Sequence, residues 1–168
     1  MQAEIYPLDR VELDGVGIDL GMEQSAVEAA IGNGERIGMR YYYFNGEMAI
    51  DYLESKVDFI EFLSGADGTL RPTVYGVSVF EADASDLFSI LKKQDGGTIG
   101  DTERGYSYQF RNISIGIYRE AVPDEIREMV KEAERFGTPM SEDEIQYEMN
   151  RANHWTAVGF GVAGYYRR

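Results

Sequence analysis

An internal repeat constrains this chain more than any other feature of its sequence. Tyr42-x-Phe44, with Tyr52 eight residues on, recurs as Tyr108-x-Phe110 with Tyr118 eight residues on, at a constant offset of 66. A chain with such a period builds one supersecondary unit twice. Each copy opens on a short strand-like run, Gly15-Val16-Gly17-Ile18 and Gly76-Val77-Ser78-Val79. Helical spacing follows each: Met22, Ala26, Val27, Ala30 and Ile31 within Met22 to Ile31, then Ala84, Leu87, Phe88 and Leu91 within Asp83 to Leu91. Gly32 and Gly96 stand just past these stretches, where a residue tolerant of positive φ ends a helix. Asn45-Gly46 predicts a two-residue hairpin turn between the first two strands, and Arg111-Asn112 takes the equivalent place. A third strand, Val57-x-Phe59, matches Val158-x-Phe160 at an offset of 101. The larger offset places an insertion over residues 120–153 of the second copy.

The insertion reads as two helices. Pro123 suits a first-turn position, because its missing N–H has no partner there anyway. Ile126, Met129, Val130, Ala133 and Phe136 form an apolar stripe that Gly137 closes. Ser141-x-x-Glu144 is a capping-box pattern, and Ile145, Met149 and Ala152 give its helix a narrower stripe. The pair is either an αα-hairpin packed on the sheet or a protruding lid or partner-docking arm. The expected fold is α+β: two tandem helix-plus-three- or four-stranded antiparallel units, residues 1–70 and 71–168, in one compact domain.

The run from Ile18 to Gly32, with its Leu20-Gly21-Met22 opening, Val27 and closing Gly32, resembles the opening of small bacterial helix-plus-sheet modules. These are modules of the β-lactamase-inhibitor-protein type and of related outer-membrane assembly lipoproteins. The Tyr41-Tyr42-Tyr43-Phe44 strand and its hairpin fit that pattern, which covers about the first 65 residues. The resemblance implies a protein-binding module that presents a curved sheet face and performs no catalysis. The second unit lacks the Leu-Gly-Met element, and the chain has neither a lipobox cysteine nor disulfides.

Composition removes several functions. Thirty acidic residues against sixteen basic ones give a net charge of -14. Nucleic-acid backbones and anionic membrane surfaces are bound through Lys and Arg, so neither is an expected partner. The chain has no cysteine, which excludes thiolate metal sites and cysteine nucleophiles, and His154 is its one histidine. No G-x-S-x-G elbow offers that histidine a serine, so it reads as a structural or capping residue. Gly159-Phe160-Gly161-Val162-Ala163-Gly164 matches a dinucleotide fingerprint in letters only, because four residues cannot supply the helix that holds a pyrophosphate. Those glycines read instead as a strand on which another element packs closely. Glu81-x-Asp83-x-x-Asp86 and Glu142-Asp143-Glu144 lack the pattern of a calcium loop and suit helix first turns. No cofactor or metal is therefore expected. The N-terminus lacks a basic and apolar leader, so the cytoplasm is the expected compartment.

One surface is promoted. Strand alternation puts Tyr42 and Phe44 toward the core, as Tyr108 and Phe110, and turns Tyr41 and Tyr43 outward. By the same parity Asp58 faces out, and Trp155, out of phase with Val158 and Phe160, joins it. Tyr41, Tyr43, Asp58 and Trp155 would then form an aromatic, acidic protein-binding face. The expected function is a non-enzymatic protein-binding module, most concretely an immunity-type inhibitor of a cognate, basic toxin. The alternative is a small hydrolase or ligand-binding protein using Asp51, Asp58 and Glu61, with the insertion as lid. A homodimer through the aromatic face is the third reading.

Overall fold

The computed structural model describes residues 1–168. In chain order the elements are β1 (Gln2–Tyr6), β2 (Arg10–Leu13), β3 (Val16–Asp19), α1 (Gln24–Ile31), β4 (Glu35–Ile37), β5 (Arg40–Tyr43), β6 (Met48–Leu53), β7 (Lys56–Phe62), β8 (Arg71–Val74) and β9 (Val77–Ser78). They continue with α2 (Ala84–Asp95), β10 (Ser107–Phe110), β11 (Ile115–Tyr118), α3 (Pro123–Arg135), α4 (Glu142–Ala152) and β12 (Ala157–Gly161). The fold is α+β. A five-stranded sheet runs β3-β2-β1-β8-β9, and a seven-stranded sheet runs β10-β11-β12-β7-β6-β5-β4. Every pair in the larger sheet is antiparallel, and β1–β8 is the one parallel pair in the smaller. In the larger sheet β5-β6-β7 and β10-β11-β12 lie side by side and meet at β7 and β12. No helix is long and apolar enough to cross a membrane.

Local signals set the helix ends. Asp83 accepts from the Ser85 N–H at 2.9 Å and starts α2, and Gly96 ends it at φ 67°. Pro123 is the first residue of α3. Both hydrogen bonds of the Ser141–Glu144 capping box form at the start of α4, at 3.2 and 2.8 Å. The inner face of the larger sheet, α1, α2 and the smaller sheet share one core, centred on residues such as Ile60, Phe62, Leu87, Phe110 and Phe160.

The β5–β6 turn departs from expectation. Tyr43 pairs with Met48, so the connection has four residues, Phe44 to Glu47, rather than two. Phe44, Asn45 and Gly46 all take positive φ. Glu47 uses this loop to tie the two sheets together. Its carboxylate accepts from the Thr69 N–H (2.7 Å) and hydroxyl (3.0 Å), the Leu70 N–H (2.8 Å) and the Ser64 hydroxyl (3.3 Å). Burial pushes this carboxyl up, but the hydrogen bonds outweigh it and hold it below the ordinary carboxylate range. A group depressed in the folded state adds stability above its unfolded pKa, about 4.3, and loses it as pH falls through the folded value. Glu47→Gln is expected to cost about 1–2 kcal/mol at neutral pH. The gap from the parent should close in acid, as urea midpoints on either side of that range would show.

Candidate functional site

The structure places the four expected face residues differently from their strand parity. Tyr43 is buried, at 4% exposure, with its hydroxyl 2.7 Å from that of Tyr52 and its ring beneath Gly34. Tyr41 is half-buried and packs edge-on against Tyr52. The reason is the alignment of the repeat and not the turn, since a two-residue turn at Asn45-Gly46 would pair Tyr43 with Met48 all the same. Tyr43 stands opposite Met48 as Phe110 stands opposite Ile115, so the two hairpins align at an offset of 67 rather than 66 and the faces exchange. Trp155 is 1% exposed. It lies ahead of β12, where pleat alternation does not apply, and its Nε1–H donates to the Ala84 carbonyl at 2.9 Å. Asp58 is 8% exposed and takes two hydrogen bonds from Arg168, at 2.6 and 2.8 Å. It sits at a β-bulge, where the β6–β7 register shifts between Asp51 and Tyr52. The bulge lets both Val57 and Ile60 join the core and sends Phe59 to the opposite face, against the expected Val57-x-Phe59 pattern. The four residues therefore do not meet on one exposed surface.

The outer face of the larger sheet carries a cleft instead. Residues after β12 turn back over the sheet and lay Tyr165 flat on Phe59, with ring centroids 4.4 Å apart and planes 7° apart. Tyr166 meets Phe59 edge-on. Three glycines make room. A Cβ at Gly159 would collide with the Phe59 ring, one at Gly161 with Tyr165, and one at Gly116 with the Tyr166 hydroxyl. The glycine-rich run is thus a packing surface, as its sequence reading has it. Gly164 leads into a single 3-10 turn, Tyr165–Arg167. The cleft beside these rings has a volume of about 380 Å³ and is lined further by Arg40, Asp51, Glu61, Ser107, Gln109 and Tyr118. Arg40 bridges the two acids, with Nε 2.8 Å from Asp51 and Nη1 2.7 Å from Glu61. Of the three carboxylates proposed for hydrolysis, Asp51 and Glu61 share this cluster, while Asp58 is committed to Arg168.

The insertion stands apart from the core. α3 and α4 pack on one another around a separate small cluster, Ala121, Ile126 and Ala152 with Met149. Arg119 anchors its base, donating to the Gly105 and Ala152 carbonyls at 2.9 Å each. His154 caps α4 through Nδ1, 2.8 Å from the Asn150 carbonyl, which matches its sequence reading. Two of the five residues of the α3 stripe stay in solvent, Met129 at 43% and Phe136 at 76%, and Tyr147, outside the α4 stripe, is 65% exposed. A shallow groove on α3 sets Met129 among Asp124, Glu125, Glu128 and Glu132. Residues 120–153 hold ten acidic and four basic side chains. The sequence stripe contained this signal, because α4 offers too few apolar positions to cover it. Compared with known proteins, the chain matches no family model, no curated protein and no solved structure.

Proposed function

We propose that the protein is a non-enzymatic protein-binding module whose acidic helical arm engages a basic protein. In its most concrete form it is an immunity-type inhibitor that neutralises a basic toxin. The observation that carries this reading is the arm. Its side chains Met129, Phe136 and Tyr147 lie exposed, Met129 among four carboxylates of α3. An amphipathic helix with an uncovered apolar stripe favours a partner that covers it. The surrounding acids favour a basic one by steering its approach. Aromatic and methionine anchors would supply the contact energy, and rim charges chiefly the association rate. The implied likeness to inhibitor-type modules agrees with this use but keeps its binding on the sheet face.

The reading is tested by affinity capture of the tagged protein from its native lysate at low and high salt, read by mass spectrometry. One basic protein held stoichiometrically and released by salt is expected. Retention that is indifferent to salt, or of acidic proteins only, would contradict it. With the partner in hand, Phe136→Ala is expected to weaken binding about tenfold or more without changing the melting temperature, since the ring packs on little of its own chain.

A further inference from the structure

The cleft on the outer face of the seven-stranded sheet is not explained by the arm. We propose that it binds a small neutral polyhydroxylated molecule, a mono- or disaccharide, through the Arg40–Asp51–Glu61 cluster and the Tyr166 hydroxyl. Its volume, about 380 Å³, lies within the usual range for small-molecule sites, roughly 300–1,000 Å³.

The chemistry of the walls selects the ligand. The two ion pairs use Arg40 Nε and Nη1 and leave Nη2 unbonded. They use Asp51 Oδ1 and Glu61 Oε2, and the second oxygen of each carboxylate bonds to no protein group. Free donors and free acceptors therefore stand side by side. A ligand anion would meet two carboxylates, and a ligand cation would meet the guanidinium already seated between them. An uncharged ligand whose hydroxyls both donate and accept satisfies both sets. The Tyr166 hydroxyl is a further such group. Most of its ring is buried, the hydroxyl rests over Gly116 at the cleft wall, and no hydrogen bond to the protein occupies it. Burial, with Glu61 close by, pushes this phenol up, so it stays a neutral donor and acceptor. Gln109 bonds Ser107 through Nε2 at 3.1 Å and keeps its carbonyl for other partners. The exposed Tyr118 ring adds apolar surface of the kind on which the C–H face of a sugar ring rests, the faces of Tyr165 being taken by Phe59 and Arg168.

Isotope-labelled full-length protein titrated with glucose, N-acetylglucosamine, maltose and cellobiose tests this by NMR, with arginine and citrate as charged comparators. At least one sugar is expected to shift the Glu61, Gly116 and Tyr166 amide signals saturably, with a dissociation constant of about 1 mM or below. Tyr166→Phe keeps the ring and removes the hydroxyl, and should weaken that sugar about tenfold. Gln109→Ala, partly exposed on β10 beside Gly116, should weaken it severalfold and serves if the tyrosine variant folds poorly. Absence of any saturable sugar shift would overturn the proposal. So would stronger binding of arginine or citrate at the same residues, or unchanged affinity in the folded variants.

Discussion

Replacing Trp155 with alanine is expected to destabilise the protein by about 3–5 kcal/mol rather than to strip a binding surface. The indole is the largest of the fully buried side chains. It joins three parts of the fold. Its Nε1–H donates to Ala84 at the start of α2, its edge meets the Tyr108 ring at 6.0 Å, and the Arg119 guanidinium lies over it at 4.8 Å. Alanine would leave a cavity lined by groups that cannot collapse together, because Arg119 is fixed to two backbone carbonyls. For a chain of this length the melting temperature should fall by about 10 °C or more, followed by circular dichroism since the only tryptophan is lost. Trp155→Phe keeps most of the packing and gives up one hydrogen bond, so about 1–2 kcal/mol is expected. An alanine variant as stable as the parent would mean that the ring is not packed as described.

Asp95→Ala should be the second costly change, at about 3 kcal/mol. Asp95 closes α2 and is 6% exposed. Its Oδ1 accepts from the Asn112 and Ile113 N–H groups, at 2.8 and 3.1 Å, and its Oδ2 from the Gly97 N–H at 3.2 Å. One carboxylate thus holds the β10–β11 turn against the end of the helix. Alanine leaves three backbone donors without partners. Asp95→Asn keeps the oxygen facing Asn112 and Ile113 and turns an amide donor toward the Gly97 N–H, so it should cost less than half as much. Denaturant unfolding of the three proteins separates the two effects. Equal losses in both variants would assign the stability to charge rather than to turn geometry.

The parts of the fold written in local chemistry were legible. Asp83, Gly96, Pro123 and the Ser141–Glu144 box act through their nearest backbone neighbours, and each helix end falls where those residues put it. The sheet faces were not, for two reasons. The repeat read at an offset of 66 carries the core positions Tyr108 and Phe110 onto Tyr42 and Phe44, whereas the paired hairpins align at 67, which exchanges the faces of β5. The bulge at Asp58 breaks strict alternation again in β7. The bulge is held by contacts made far along the chain, from the Val162 N–H and the Arg168 guanidinium to Asp58. The cleft depends on them entirely, since Arg40, Glu61, Gln109 and Tyr166 come from four separate elements. Its sequence traces were Asp51 and Glu61, offered as carboxylates of a ligand site, and Gly159 and Gly161, read as close packing without what packs there. The arm was half legible: its stripe was visible, and only the separate small cluster shows how much of that stripe stays uncovered.

Parallel affinity captures tests the central claim most directly, with the parent protein beside a variant carrying Glu128→Gln, Met129→Ala, Glu132→Gln and Phe136→Ala. All four side chains are exposed on α3 or at its end, so the variant should fold and melt like the parent. The arm account predicts one basic protein held by the parent at low salt, released at high salt, and missing from the variant. Capture of the same protein to the same extent by both would contradict it and return binding to the sheet face.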